Sequence, residues 1–332
     1  MNALRQWRSV LHRLGLAVGA ALFLWQAWSA GQALVTQQIR IVRPELIGIG
    51  VVAVLIATIF QVGAWRLAMQ DLGTRLNWRD SLRGYMLPFV ARYIPGMVWG
   101  YLSRTHWLQT RHDTPPQQSN LGAVVEILGL ILSAAVMIII GGAVSQSAFL
   151  IGLGASGAAL SVVGLVSGPK LLTWGLRLSG RRLPWDVDSW LKAVTLRRIG
   201  RAALWQLGLW LFDGAMVWAC LGGLGVATTV GGAASLGFAV AAFALAWLVG
   251  FLAFFLPAGL GLRELSLTYL LTSQMGLRPD EAAAAAVLAR ASIVASELFY
   301  VALGLLLAPR HSGHNRAERT ATQPADTEPD QT

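Results

Sequence analysis

Arg263 and Glu264 stand side by side at the end of Leu256-Pro257-Ala258-Gly259-Leu260-Gly261-Leu262, inside a run of otherwise apolar residues. A guanidinium can hold a phosphate through two parallel hydrogen bonds, and a carboxylate can neutralise that guanidinium or bind a cationic group. At membrane depth an ionisable side chain costs about 2.5 to 3.5 kcal/mol on insertion scales, so it marks a polar pathway or a buried pair. Pro257 removes a backbone donor, and Gly259 and Gly261 weaken a helix, which predicts peptide groups outside the regular ladder and free to approach an anion. The same residue types recur at Arg92 with Pro95 and Gly96, at Arg104, and at Glu126 and Asp213. Arg290 and Glu297, seven residues apart, share a helix face. Together these groups suit recognition of a phosphate or a charged headgroup; the competing reading is a set of buried pairs that only neutralise one another.

The elements that must position them are helices in a bilayer. Of the 332 residues 55% are hydrophobic and 13% charged, against about a quarter charged in soluble domains, which predicts an all-α, polytopic transmembrane helical bundle. The single cysteine, Cys220, excludes a disulfide framework and a cysteine-based metal site. No zinc-protease, nucleophile-elbow or nucleotide-binding signature occurs, so neither a cofactor nor a metal is expected. The net charge of +10 comes from basic residues in short loops between apolar runs. That pattern indicates orientation in the membrane and contact with anionic lipids, and not nucleic acid.

Apolar runs predict about six full spans, near 11–31, 46–66, 121–143, 148–167, 202–222 and 282–308. Two further segments, 85–101 and 236–275, are broken by proline and glycine and read as re-entrant hairpins. Residues 168–201, rich in Lys, Arg and Trp, read as amphipathic helix on the cytoplasmic surface. Residues 1–309 form the membrane domain, and 310–332 a polar, disordered cytoplasmic tail. Of the 26 Lys and Arg residues, all but six fall on one side; Arg40, Arg43 and Arg278 lie opposite, and Arg92, Arg263 and Arg290 lie at membrane depth. The positive-inside rule then puts both termini in the cytoplasm.

The broken segments echo each other. Ala91-Arg92-Tyr93-Ile94-Pro95-Gly96 aligns with Ala253-Phe254-Phe255-Leu256-Pro257-Ala258, and each is followed by a proline and a span carrying a carboxylate. Their opposite directions of entry suit an inverted repeat whose halves meet at a midplane site.

Tyr93-Ile94-Pro95-Gly96-Met97-Val98-Trp99 with Arg104, and above all Pro257 to Glu264 followed by Arg290 and Glu297, resemble the lysylphosphatidylglycerol synthase transmembrane region, a flippase-like family of membrane domains. The resemblance covers the chain apart from its tail. It implies movement between bilayer leaflets of a phospholipid, glycolipid or polyprenyl-phosphate-linked substrate in a bacterial inner membrane, without the soluble aminoacyl-transfer domain of full-length synthases. The family's substrates are too varied to choose among, and an oligomer is left open. Two other classes stay in view: a membrane enzyme transferring groups on a lipid carrier, and a non-catalytic partner of a lipid-modifying enzyme.

Overall fold

The computed structural model describes residues 41–89, 98–161, 194–226, 231–252 and 261–307, with isolated positions 24, 28, 32 and 163. The regular elements among them are helical: α1 (Pro44–Asp71), α2 (Trp78–Phe89), α3 (Val98–His112), α4 (Pro116–Val144), α5 (Ala148–Ser161), α6 (Leu196–Gly223), α7 (Gly232–Leu252), α8 (Leu262–Met275) and α9 (Pro279–Leu306). Five of these, α1, α4, α6, α7 and α9, are long and apolar enough to cross a bilayer. A helix of 28 residues reaches about 42 Å, against a hydrocarbon core of about 30 Å. The protein is a multi-pass helical membrane protein.

Local chemistry sets the helix starts. Proline opens α1, α4 and α9, where its missing N–H would have been unpaired anyway. In α9, Asp280 and Glu281 add negative charge to the first turn, and the Glu281 carboxylate accepts from the Arg278 N–H at 3.2 Å.

Contacts between helix ends fix the topology. The N–H groups of Val42 and Arg43 donate to the Gly223 carbonyl at 2.9 and 3.0 Å, so α1 starts where α6 ends. Trp218 Nε1 donates to Ser235 Oγ at 2.9 Å, which brings the start of α7 to the same end. Gly237 packs there against Val144, at the end of α4. Ser147, just past α4, donates to Gln274 near the end of α8 at 3.5 Å. The chain therefore descends through α7 and returns through α8 to the end it left. At the opposite end Arg79 on α2 donates to the Leu307 carbonyl at 2.8 Å, and Asp80 lies 3.8 Å from His112 at the end of α3. There α2 and α3 form the second return. The helices flanking each break thus return to the end they start from, at opposite ends of the bundle for the two breaks.

Close backbone contact holds the second hairpin in the bundle. Glycines on α4 and α6 let α7 approach: a Cβ added at Gly141 would lie 2.2 Å from the Gly237 carbonyl oxygen, and one at Gly214 would lie 2.3 Å from Val240 Cα. Such spacing replaces side-chain interdigitation in membrane bundles. Cys220 and Trp210 are fully buried between these helices. The indole Nε1 of Trp210 donates to Ser133 Oγ at 2.9 Å, where Ser133 has no exposed surface. Ser133→Ala strands that donor and is expected to cost about 1 to 3 kcal/mol, read as a lower midpoint of thermal unfolding in detergent.

Three expectations are corrected. The segment 168–201 does not end before a span: α6 begins at Leu196, with Thr195 capping it through the Arg198 N–H, so Arg197, Arg198 and Arg201 ride on the first turns of a spanning helix. Helix α7 has 21 residues, enough to cross by itself, because Gly232–Leu252 carries neither a charge nor a proline. The stretch around Arg104, one of the basic segments expected as short loops between apolar runs, is helix, and not loop. In the predicted span 148–167, helix is described over Ala148–Ser161. The predicted span 11–31, apart from Leu24 and Trp28, and the tail 310–332 lie outside the described residues.

Candidate functional site

A cavity of about 200 Å³ opens where the two hairpins approach each other. The first hairpin contributes Tyr85 from α2 and Tyr101 and Arg104 from α3; the second contributes Trp247, Gly250 and Phe251 from α7 and Arg263 from α8. The spanning helices complete the lining with Gln61, Glu126, Asp213, Glu297 and Tyr300. Glu126 stands ten residues after the start of α4, about 15 Å along the axis, which places it well inside the bundle.

One wall is a saturated ion pair. The Glu126 carboxylate accepts through Oε2 from Arg104 Nη1 at 2.8 Å, and through Oε1 from both Gln61 Nε2 and Tyr85 Oη at 2.8 Å. Glu126 is 2% exposed and Arg104 7%. The Arg104 guanidinium lies 4.6 Å from the Tyr85 ring centre, 4.7 Å from Tyr101 and 5.6 Å from Trp65. Such a pair offsets the cost of burying two charges because further hydrogen bonds and aromatic faces surround it. It forms a fixed, electrically neutral wall.

Other charged side chains among the described residues also line the cavity. Arg263, at the start of α8, lies over the Phe243 ring at 4.4 Å and lines the cavity. Asp213 and Glu297, both buried, line it from α6 and α9. Among the described residues a guanidinium and two carboxylates line the cavity besides the Arg104–Glu126 pair, side chains of the kinds that bind phosphate and ammonium or hydroxyl groups.

The other expected site residues divide. Glu264 does not line the cavity: its Oε2 accepts from the Gly261 N–H at 2.8 Å, capping α8, and its Oε1 faces Arg290 Nε at 3.6 Å. Gly261 has φ +82°, a conformation that glycine adopts without strain. Arg290 is buried beside this carboxylate, and not beside Glu297. Seven residues put Arg290 and Glu297 on one face, but also about 10.5 Å apart along the axis. Arg92, Pro95, Gly96, Pro257 and Gly259 lie outside the described residues. The lining residues Gln61, Tyr85, Tyr101 and Tyr300 went unnoticed in the sequence. Gln61 alone left a signal, as the only amide in the apolar run from Leu46 to Trp65.

A family model described as the lysylphosphatidylglycerol synthase TM region matches residues 13–304. No curated protein matches the chain.

Proposed function

Since the chain belongs to the lysylphosphatidylglycerol synthase TM region family, whose setting is membrane lipid chemistry, we propose that it is a lipid translocase of a bacterial inner membrane. The polar headgroup passes through the cavity between the hairpins while acyl or prenyl chains stay in the bilayer. One observation carries the reading: a largely apolar cavity with buried charged side chains lies between hairpins that turn back toward opposite ends of the bundle, the geometry in which a midplane site can serve both leaflets. Arg263 takes the phosphate, and Asp213 and Glu297 take the donor groups of the headgroup. Arg104 and Glu126 hold the first hairpin in place.

The substrate is a phospholipid, a glycolipid or a polyprenyl-phosphate-linked sugar, and the cavity volume suits a phosphate with a short headgroup. Transport is not driven by ATP; the protein works as a transporter, and not as an enzyme. The basic flanks put both termini in the cytoplasm, where they contact anionic lipids.

Purified protein in liposomes with leaflet-resolved reporter lipids tests this. Exchange should exceed that of protein-free liposomes for at least one lipid class, and Arg263→Gln should slow it about tenfold or more, the equivalent of one charge-assisted hydrogen bond of about 1.4 kcal/mol. Exchange no faster than the protein-free rate across the lipid panel would sink the proposal.

A further inference from the structure

Behind the Phe243 ring lies a second recess, of about 10 Å³, bounded by Phe243, Arg263, Glu264, Ala286, Ala289 and Arg290. It has room for one particle the size of water or a halide, and none for a tetrahedral phosphate with its ester. Arg290 is 5% exposed, and among the described residues none of its three guanidinium nitrogens has a hydrogen-bond acceptor. Its nearest carboxylate oxygen, Glu264 Oε1, is 3.6 Å from Nε, too far for a hydrogen bond, and has no donor of its own. The other Glu264 oxygen is occupied by the Gly261 N–H.

A buried cation whose N–H groups all lack acceptors is a strongly unfavourable arrangement. Glu264 at 3.6 Å supplies counter-charge without a hydrogen bond, and water in the recess would accept a hydrogen bond without adding charge. An anion accepts those hydrogen bonds and adds charge of the matching sign, with the guanidiniums of Arg290 and Arg263 set against the one Glu264 carboxylate among the described residues around the recess. We propose that the recess is a binding site for a small monovalent anion of the halide class, held by Arg290 between α8 and α9. The recess adjoins the headgroup cavity, with Arg263 lining both, but its anion is held by Arg290 and the proposal does not rest on the translocase reading.

The test uses the full chain in detergent, moved from sodium gluconate to sodium chloride or bromide at constant ionic strength. A halide that binds only the folded protein should raise the midpoint of thermal unfolding saturably, by about 2 °C or more at tenfold excess over its dissociation constant. Arg290→Gln, and Ala286→Val, which fills the recess, should each abolish the shift. Crystals grown in bromide locate the ion independently of any variant: an anomalous peak within about 3.5 Å of the Arg290 nitrogens is expected. An empty or water-filled recess at saturating bromide overturns the proposal, as does a thermal shift that Ala286→Val leaves intact. Neither readout involves lipid exchange, so the two proposals fail separately.

Discussion

Arg104→Ala should lower the midpoint of thermal unfolding by roughly 5 to 10 °C in detergent, from a loss of about 3 to 5 kcal/mol. The cause is the carboxylate left behind. Glu126 is 2% exposed and would keep the hydrogen bonds from Gln61 and Tyr85 but lose its counter-charge. Tyr85 and Tyr101 would also lose the cation against their faces. Replacing both partners separates this penalty from the function of the site. In Arg104→Met with Glu126→Gln no charge is buried, and the amide oxygen still accepts from Gln61 and Tyr85. That double variant should recover most of the lost stability and still exchange lipid in liposomes. Recovered stability with lost exchange would move Arg104 and Glu126 from the frame of the cavity to its working surface.

The second large effect is expected at the glycine contact of α7. Gly141→Ala puts a methyl 2.2 Å from the Gly237 carbonyl oxygen and 2.8 Å from Ala241 Cβ. No rotamer relieves that, because the obstacle is backbone, so α4 and α7 must separate along their whole shared face. A cost above about 3 kcal/mol is expected, beyond the usual range for overpacking, with loss of folded protein from the membrane fraction. Gly48→Ala and Gly152→Ala are the controls. Both positions are helical, and a Cβ there meets nothing within 4 Å. Those substitutions should leave yield unchanged or raise stability by about 0.5 to 1 kcal/mol. Equal yields of Gly141→Ala and Gly48→Ala in membrane preparations would refute the close-contact argument.

The bundle was legible in the sequence where one physical signal dominated. Apolar length marked α1, α4, α6 and α9, while the starts of α1 and α4 lie a few residues ahead of the predicted spans, at Pro44 and Pro116. The paired Pro/Gly breaks implied two hairpins, and helix-end contacts such as Ser147 with Gln274 and Asp80 with His112 supplied the opposite directions of entry. Misreadings came from cues that serve two purposes. Arg197, Arg198 and Arg201 look like a surface helix because long cationic side chains can reach the interface from the first turns of a span. Arg104, with His106, Arg111 and His112, has the composition of a solvated loop, and only the packing of α4 against α3 buries it on Glu126. For Arg290 and Glu297 the helical period predicted the shared face correctly, but not the axial distance that puts them in different cavities.

Cys220 is the single cysteine of the chain and is fully buried. The native protein therefore has almost no background toward thiol reagents that cannot cross a membrane, so an introduced cysteine would report its own surroundings without a cysteine-free parent. Positions 146 and 274 at one end of the bundle, and 80 and 112 at the other, could then be labelled one at a time in intact cells, giving the orientation directly.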